Sequence, residues 1–229
     1  IKGKLAHFKK ARPGDKILMI GGRVGKDGIH GATFSSEELD TRSPVTAVQI
    51  GDPITQKKFS DAIIKELRDK NLYNSITDNG AGGLSSSVGE MAKESGGFIV
   101  DLDLVPLKYS GLQPWEIWVS ESQERMTLAV SAKDQKKVIH LLNKRGVEAS
   151  IIGKFIKKNI AIVRYKKKEI LNMDMNFLHE GYPRKLLKSK KPLSIQTKSI
   201  HIKTKNYKNT LLKMLSSPNI TSKEFISSQ

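Results

Sequence analysis

The chain has 229 residues, 38% of them hydrophobic, enough for one ordinary domain with additions or two small ones, and low enough in apolar content to include a linker or tail. It has no cysteine, which excludes disulfide staples and thiolate sites and suits a cytoplasmic location, and no apolar run approaches the ~20 residues that cross a bilayer, so no membrane partner is expected. The formal charge of +17 raises a nucleic-acid partner, but lysine outnumbers arginine 32 to 8, the reverse of what bidentate readout favours, and none is expected.

A basic lead-in and a Pro13-Gly14-Asp15 turn precede a buried strand, residues 16–20. It runs into GGRVGKDGIHG (21–31), five glycines in eleven positions with His30 near the end. This is not a P-loop, because Asp27 stands where Ser or Thr would ligate magnesium. Backbone contact with an anion and a long glycine-tolerant turn are both open readings. Residues 32–40 are small and acidic and read as a flap; residues 45–50 read as a strand with Gln49 at its C-terminal end. Strand C-termini beside helix N-termini are where ligands gather in open α/β layouts.

Asp52 and Pro53 predict an N-cap and first helical position. Ile54, Phe59, Ala62, Ile63 and Leu67 form one helical stripe through residue 70. TDNGAGGLSSS (77–87) follows a short apolar run. Its glycines permit positive φ and close amide approach, a following helix from about Ser86 favours an anion, and Asp78 suits a hard cation. The alternative is that Asp78 caps a helix and the glycines only shape a turn.

Residues 97–105 alternate as a strand. PWEIWV (114–119) is a short helical turn whose Trp115 and Trp118 are expected in the core. The run Ser120-Glu121-Ser122-Gln123-Glu124-Arg125 then feeds a strand at 126–130. Either several side chains converge on a site there, or the run is a solvated helix end with a local Glu–Arg pair. Ser131 and Asp134 resemble a capping box for a helix closed by Gly146. Strands at 149–156 and 160–165, and 169–173 after a Lys166-Lys167-Lys168 turn, complete an α+β pattern, a mixed sheet with layered helices. Residues 1–178 are expected to be one domain, 179–206 a basic linker, and 207–229 the start of a following domain. Short helices at 206–215 and 222–228 need a partner to be stable. The chain begins at Ile1 and ends inside a helical pattern, so a longer parent is expected.

Four colinear stretches, GGRVGKDGIHGATFSSEELD (21–40), VQIGDP (48–53), TDNGAGGLSS (77–86) and PWEIWVSESQERM (114–126), resemble the synthetase component of the phosphoribosylformylglycinamidine synthases. The resemblance covers residues 14–130 densely and implies a fold like the carboxy-terminal domain of aminoimidazole ribonucleotide synthetase. It implies a fragment of an ATP-dependent C–N ligase of purine biosynthesis, inactive alone, which converts formylglycinamide ribonucleotide to the amidine with glutamine-derived ammonia. It also implies that Gln49, Glu121, Ser122 and Gln123 contact the ribonucleotide and that Asp78 ligates Mg2+. ATP is expected mainly on synthetase domains beyond this chain, with a glutaminase component as a further partner and no catalytic residue within the chain. Some members carry a hydrophobic residue where Asn79 stands. A stand-alone domain that binds phosphorylated small molecules without catalysis is the alternative.

Overall fold

The computed structural model describes residues 10–30, 51–183, 186–190, 206–217 and 219–221. The chain divides into two compact units, Ile1–Pro183 and Arg184–Gln229.

The first unit is built on a seven-stranded mixed sheet. Its strands are β1 (Lys16–Gly21), β2 (Ser75–Asp78), β3 (Gly97–Asp101), β4 (Arg125–Val130), β5 (Ala149–Ile156), β6 (Ile160–Tyr165) and β7 (Lys168–Asp174), in the order β2-β4-β1-β5-β3-β6-β7. β3 and β6 pair in parallel and the other neighbours are antiparallel. β1 is central and buried on both faces, which is why KILMIG carries consecutive apolar residues instead of alternating with polar ones.

Each face of β1 belongs to a separate core. Ile17 and Met19 pack with Leu84, Val88 and Met91 of α2 (Gly83–Ser95) and Ile117 of α3 (Pro114–Val119). Leu18 and Ile20 pack with Phe59 and Ala62 of α1 (Pro53–Ala62) and Val138 and Leu142 of α4 (Gln135–Lys144). Burying such a side chain contributes roughly 1.5–3 kcal/mol, so helices are held on both sides of the sheet. The α+β expectation is met.

The α1 cap forms as the sequence predicts: Asp52 accepts from the Thr55 amide at 3.0 Å and Pro53 occupies the first turn. The helix widens into a π-helical turn over Ile63–Arg68. Glu66 there takes hydrogen bonds from Lys70 and Arg145, which hold its carboxyl down to about 2 and tie the turn to the end of α4.

Several local expectations are corrected. Ile54 is 66% exposed, off the buried stripe. The strand at 97 ends at Asp101, and Leu102–Leu104 forms a 3-10 turn that leaves Leu104 exposed. Asp103 in that turn accepts the Lys166 amide at 2.6 Å, a bond to the β6–β7 hairpin that an extended continuation does not offer. Trp118 packs on Phe98 with ring centroids 5.8 Å apart, but Trp115 is 53% exposed, because α3 buries Glu116 and Ile117. No capping box forms at α4: Asp134 is itself the N-cap, with its amide turned onto the Ser131 carbonyl at 2.9 Å. The β6–β7 hairpin turns on Lys166 and Lys167 alone, at φ 49° and 62°, a geometry that usually selects Asn-Gly.

A final helix of this unit, α5 (Met175–Glu180), is capped by Asp174 and spans position 178. Its Leu178 lies against Gly89 of α2. The His179 Nε2 is buried without a hydrogen-bond partner. Burial first, then the nearby Lys93, lower the His179 pKa, against the Gly89 backbone, Glu180 and Glu90. The unfolded chain therefore binds the proton more readily below the ordinary value of about 6.5. Stability is expected to be full above that pH and to decline below it, with part of the decline absent in His179→Phe. Melting curves between pH 7.5 and 5 check this; an equal decline in the variant overturns it.

In the second unit, residues 186–190 form neither helix nor strand. Helix α6 (Tyr207–Leu215) is capped by Asn206, and its Tyr207, Leu211 and Leu215 are each more than half exposed. The expected helix at 222–228 lies outside the described residues.

Candidate functional site

The site grows from the run that connects α3 to β4. Arg125, the first residue of β4, pairs with Gly21 at the end of β1 and is only 3% exposed. Its Nε donates to the Ser122 carbonyl and a terminal nitrogen donates to the Ser120 carbonyl, both at 2.6 Å. The remaining terminal nitrogen reaches the Met19 sulfur at 3.9 Å. Burial lowers the guanidinium to about 10, with Asp27 acting in the other direction. Among the described residues no acid lies within ion-pair distance of Arg125. The solvated Glu–Arg reading of this run is thus replaced by a buried cation holding main-chain oxygens.

Both glycine-rich loops close onto this run. In the first, the Gly22 amide donates to the Glu124 carbonyl at 2.9 Å and the Gly25 amide to the Ser122 hydroxyl at 2.9 Å. The Asp27 carboxylate accepts from the Ser122 hydroxyl and, at 2.7 Å, from Lys108. Val24 bridges Leu107, and the Lys26 amide donates to the Tyr109 hydroxyl at 2.9 Å. The amides of Gly22, Val24, Gly25 and Lys26 are thereby used within the protein, which removes the anion-cradle reading for them. Glu124 adopts φ 54°, uncommon for a side-chain-bearing residue, and its carbonyl sits 2.2 Å from where a Cβ on Gly21 would lie.

The second loop behaves similarly. Asp78 Oδ1 accepts from the Gly80 amide at 3.0 Å, so Asp78 forms a local turn and does not cap α2, whose N-cap is Gly82 at φ 76°. The Gly82 amide donates to Glu121 Oε1 at 3.1 Å, and the Gly83 amide to the Gly80 carbonyl at 2.9 Å. The place an anion would take at the start of α2 is held by the protein's own Glu121. Buried Asn79 accepts from Ser87 at 2.6 Å and Thr127 at 2.8 Å, its amide donates to the Arg125 carbonyl at 3.3 Å, and its Nδ2 has no partner.

A cavity of about 210 Å3 opens here, lined by Gln56 and Phe59 of α1, Asp78, Asn79 and Gly80 of the second loop, and residues 123–126. The sequence-predicted residues divide around it. Asp78 and Gln123 are exposed and line this one cavity. Ser122 is fully buried, with its hydroxyl committed to Gly25, Ser120 and Asp27, and half-buried Glu121 is turned to Gly82. Gln49 lies outside the described residues; Gly51, two positions on, has its Cβ direction 3.6 Å from Glu124 Oε1. A second cavity of about 290 Å3, over the start of α1, has its Arg23 already paired with Glu148 at 2.9 Å.

Sequence reading missed Asp27 and Arg125. A charged residue opening an apolar strand was the available signal for Arg125, and an acid within a glycine loop the signal for Asp27.

Asp78 fits a magnesium ion in a limited way. It is an exposed hard-oxygen donor with one oxygen engaged by Gly80, and Mg2+ is commonly held by one or two carboxylates together with substrate phosphates. Among the described residues there is no group of three or more His, Asp or Glu that would hold a metal without a ligand's help.

Residues 12–166 match the family described as AIR synthase related protein, C-terminal domain. The phosphoribosylformylglycinamidine synthase subunit PurL of Methanobrevibacter smithii is 35% identical over 232 residues, covering 100% of this chain and 32% of the relative. A solved structure of T. maritima PurL complexed with FGAR superposes with a TM-score of 0.70 at 32% identity, over 82% of this chain and 31% of that one. T. maritima PurL complexed with ATP gives 0.63 at 30% identity, over 74% and 26%. The chain spans about a third of the length of the curated relatives it matches. These matches bear out the resemblance drawn from the four motifs.

Proposed function

Since the chain belongs to the AIR synthase related family through its C-terminal-type domain, we propose that it is the substrate- and metal-contacting part of a phosphoribosylformylglycinamidine synthase, a cytoplasmic ATP-dependent ligase of purine biosynthesis. The observation that carries this reading is that Asp78 and Gln123, 45 positions apart, line one cavity walled by the second glycine loop, by Gln56 and Phe59 of α1 and by residues 123–126.

In this reading Gln123, an uncharged donor and acceptor, hydrogen-bonds the oxygens of formylglycinamide ribonucleotide. Glu121 and Ser122, expected as substrate contacts, act at the same place by clamping the two loops together instead, and Gln49 is assigned to the substrate with Gln123. Asp78 would hold Mg2+, which offsets phosphate charge when bound. ATP and the catalytic groups fall mainly to the remaining synthetase domains, and ammonia to a glutaminase component. The division into a domain, a basic linker and the start of a following domain is proposed with it, the expected break after 178 falling inside helix α5, which runs to Glu180.

Supplying the remaining domains to this chain is expected to restore ATP-dependent amidine formation from the ribonucleotide, measured by product formation. Tight binding of the ribonucleotide by the chain alone, with no activity on reassembly, overturns the reading in favour of a non-catalytic binding domain.

A further inference from the structure

Arg125 carries a charge whose burial the fold does not require. A guanidinium at 3% exposure with no ion-paired acid among the described residues is costly, and an apolar side chain of similar volume commonly fills such a space with less penalty. What an apolar side chain cannot do is donate. Arg125 places two donors of one rigid fork on the carbonyls of Ser120 and Ser122, each at 2.6 Å, in the range of charge-assisted bonds. Those oxygens bracket Glu121, and the second directly precedes Gln123. The main chain of the same residue reaches the other half of the cavity: its carbonyl accepts the Asn79 amide, adjacent to Asp78, at 3.3 Å. Its strand partner is Gly21, where the first glycine loop begins.

We propose that Arg125 is the positioning residue of the site: its fork fixes the Ser120–Gln123 backbone, so that Gln123 and Asp78 meet across one cavity at a set separation. This rests on the function proposed above. A lysine keeps the charge but, as a single point of contact, does not span both carbonyls in fixed geometry. The role is therefore carried by the shape of the cation as well as its charge.

The test uses the chain reassembled with its remaining synthetase domains. Arg125→Lys is expected to raise KM for formylglycinamide ribonucleotide about tenfold with kcat changed by less than about threefold, the pattern of a displaced binding group. A purely structural arginine lowers the melting temperature and leaves the KM of the folded enzyme where it was; that result overturns the proposal. Should Arg125→Lys fail to fold, the unaltered protein supplies the second measurement. The Nε–H resonance of Arg125, bonded to the Ser122 carbonyl, is expected to exchange slowly and to shift when the ribonucleotide is added. An unmoved resonance, while others respond, overturns the role as well. If the unaltered enzyme neither binds nor converts the ribonucleotide, the functional reading fails first. If it does both and Arg125→Lys matches it, only the Arg125 assignment falls.

Discussion

Gly83→Ala is expected to destabilise the first unit by about 2–5 kcal/mol, summing left-handed strain of ~1–2 and overpacking of ~1–3. Gly83 opens α2 at φ 54°, and a methyl there would lie 2.0 Å from the Ser120 oxygen and 2.8 Å from its carbon. Both are main-chain atoms, so relief requires moving α2 away from the end of α3. The same Ser120 carbonyl accepts from Arg125, so the movement reaches the centre of the site. Gly14→Ala separates the two contributions: at φ 95° with nothing within 4 Å, it carries strain without a clash and should cost only about 1–2 kcal/mol. Urea unfolding of both variants decides the matter. Equal losses would show that the close approach of the two helices contributes nothing.

Asp78→Ala is expected to behave in the opposite way. Its side chain is exposed and makes one local bond, to the Gly80 amide, so the loss of stability should stay near ~1 kcal/mol. Activity is another matter: in the proposed reading Asp78 acts on the phosphate through the Mg2+ it would hold, and loss of one such electrostatic contact commonly costs on the order of 100- to 1,000-fold. The reassembled enzyme carrying Asp78→Ala should therefore melt almost normally while kcat/KM falls by that range, and it should need more magnesium for half-maximal rate. A variant with unchanged rate and unchanged magnesium dependence removes Asp78 from the metal assignment. A variant that unfolds identifies it as a structural turn residue.

Much of this domain is legible because its signals are local. β1 announces itself by consecutive apolar residues, α1 by Asp52-Pro53 and its stripe, and the β6–β7 turn by interruption of two apolar runs. Less legible are features that depend on distant partners. Ser122 is open to a convergent site or a solvated helix end until Gly25 and Asp27, 95 or more positions earlier, are folded against it. The glycines of 77–83 leave an anion cradle and a plain turn equally open, because nothing in that stretch announces that Glu121 will occupy the amide of Gly82. Leu104 fits the strand alternation perfectly well, and the change to a tight turn, closed by the Val105 amide on the Leu102 carbonyl, goes with a bond between Asp103 and the distant Lys166 amide. Charge was ambiguous for the same reason. Arg125 beside Glu124 looks like a surface pair, and its burial follows from the sheet register that sets it opposite Gly21.

The centrality of β1 has a consequence for how this domain comes into being. The strand leaves the ribosome before both of its neighbours, β4 and β5, with Lys16 set against Val130 on one side and Lys154 on the other. At synthesis rates of about 5–20 residues per second, the interval before the first partner appears is on the order of 5–25 s. Throughout that interval a run of Ile17, Leu18, Met19 and Ile20 has no sheet to join. Closing loops of this length also precedes any reward from the contacts they create. The strand order itself therefore makes the pairing of this segment a matter of contacts more than 100 positions apart in sequence.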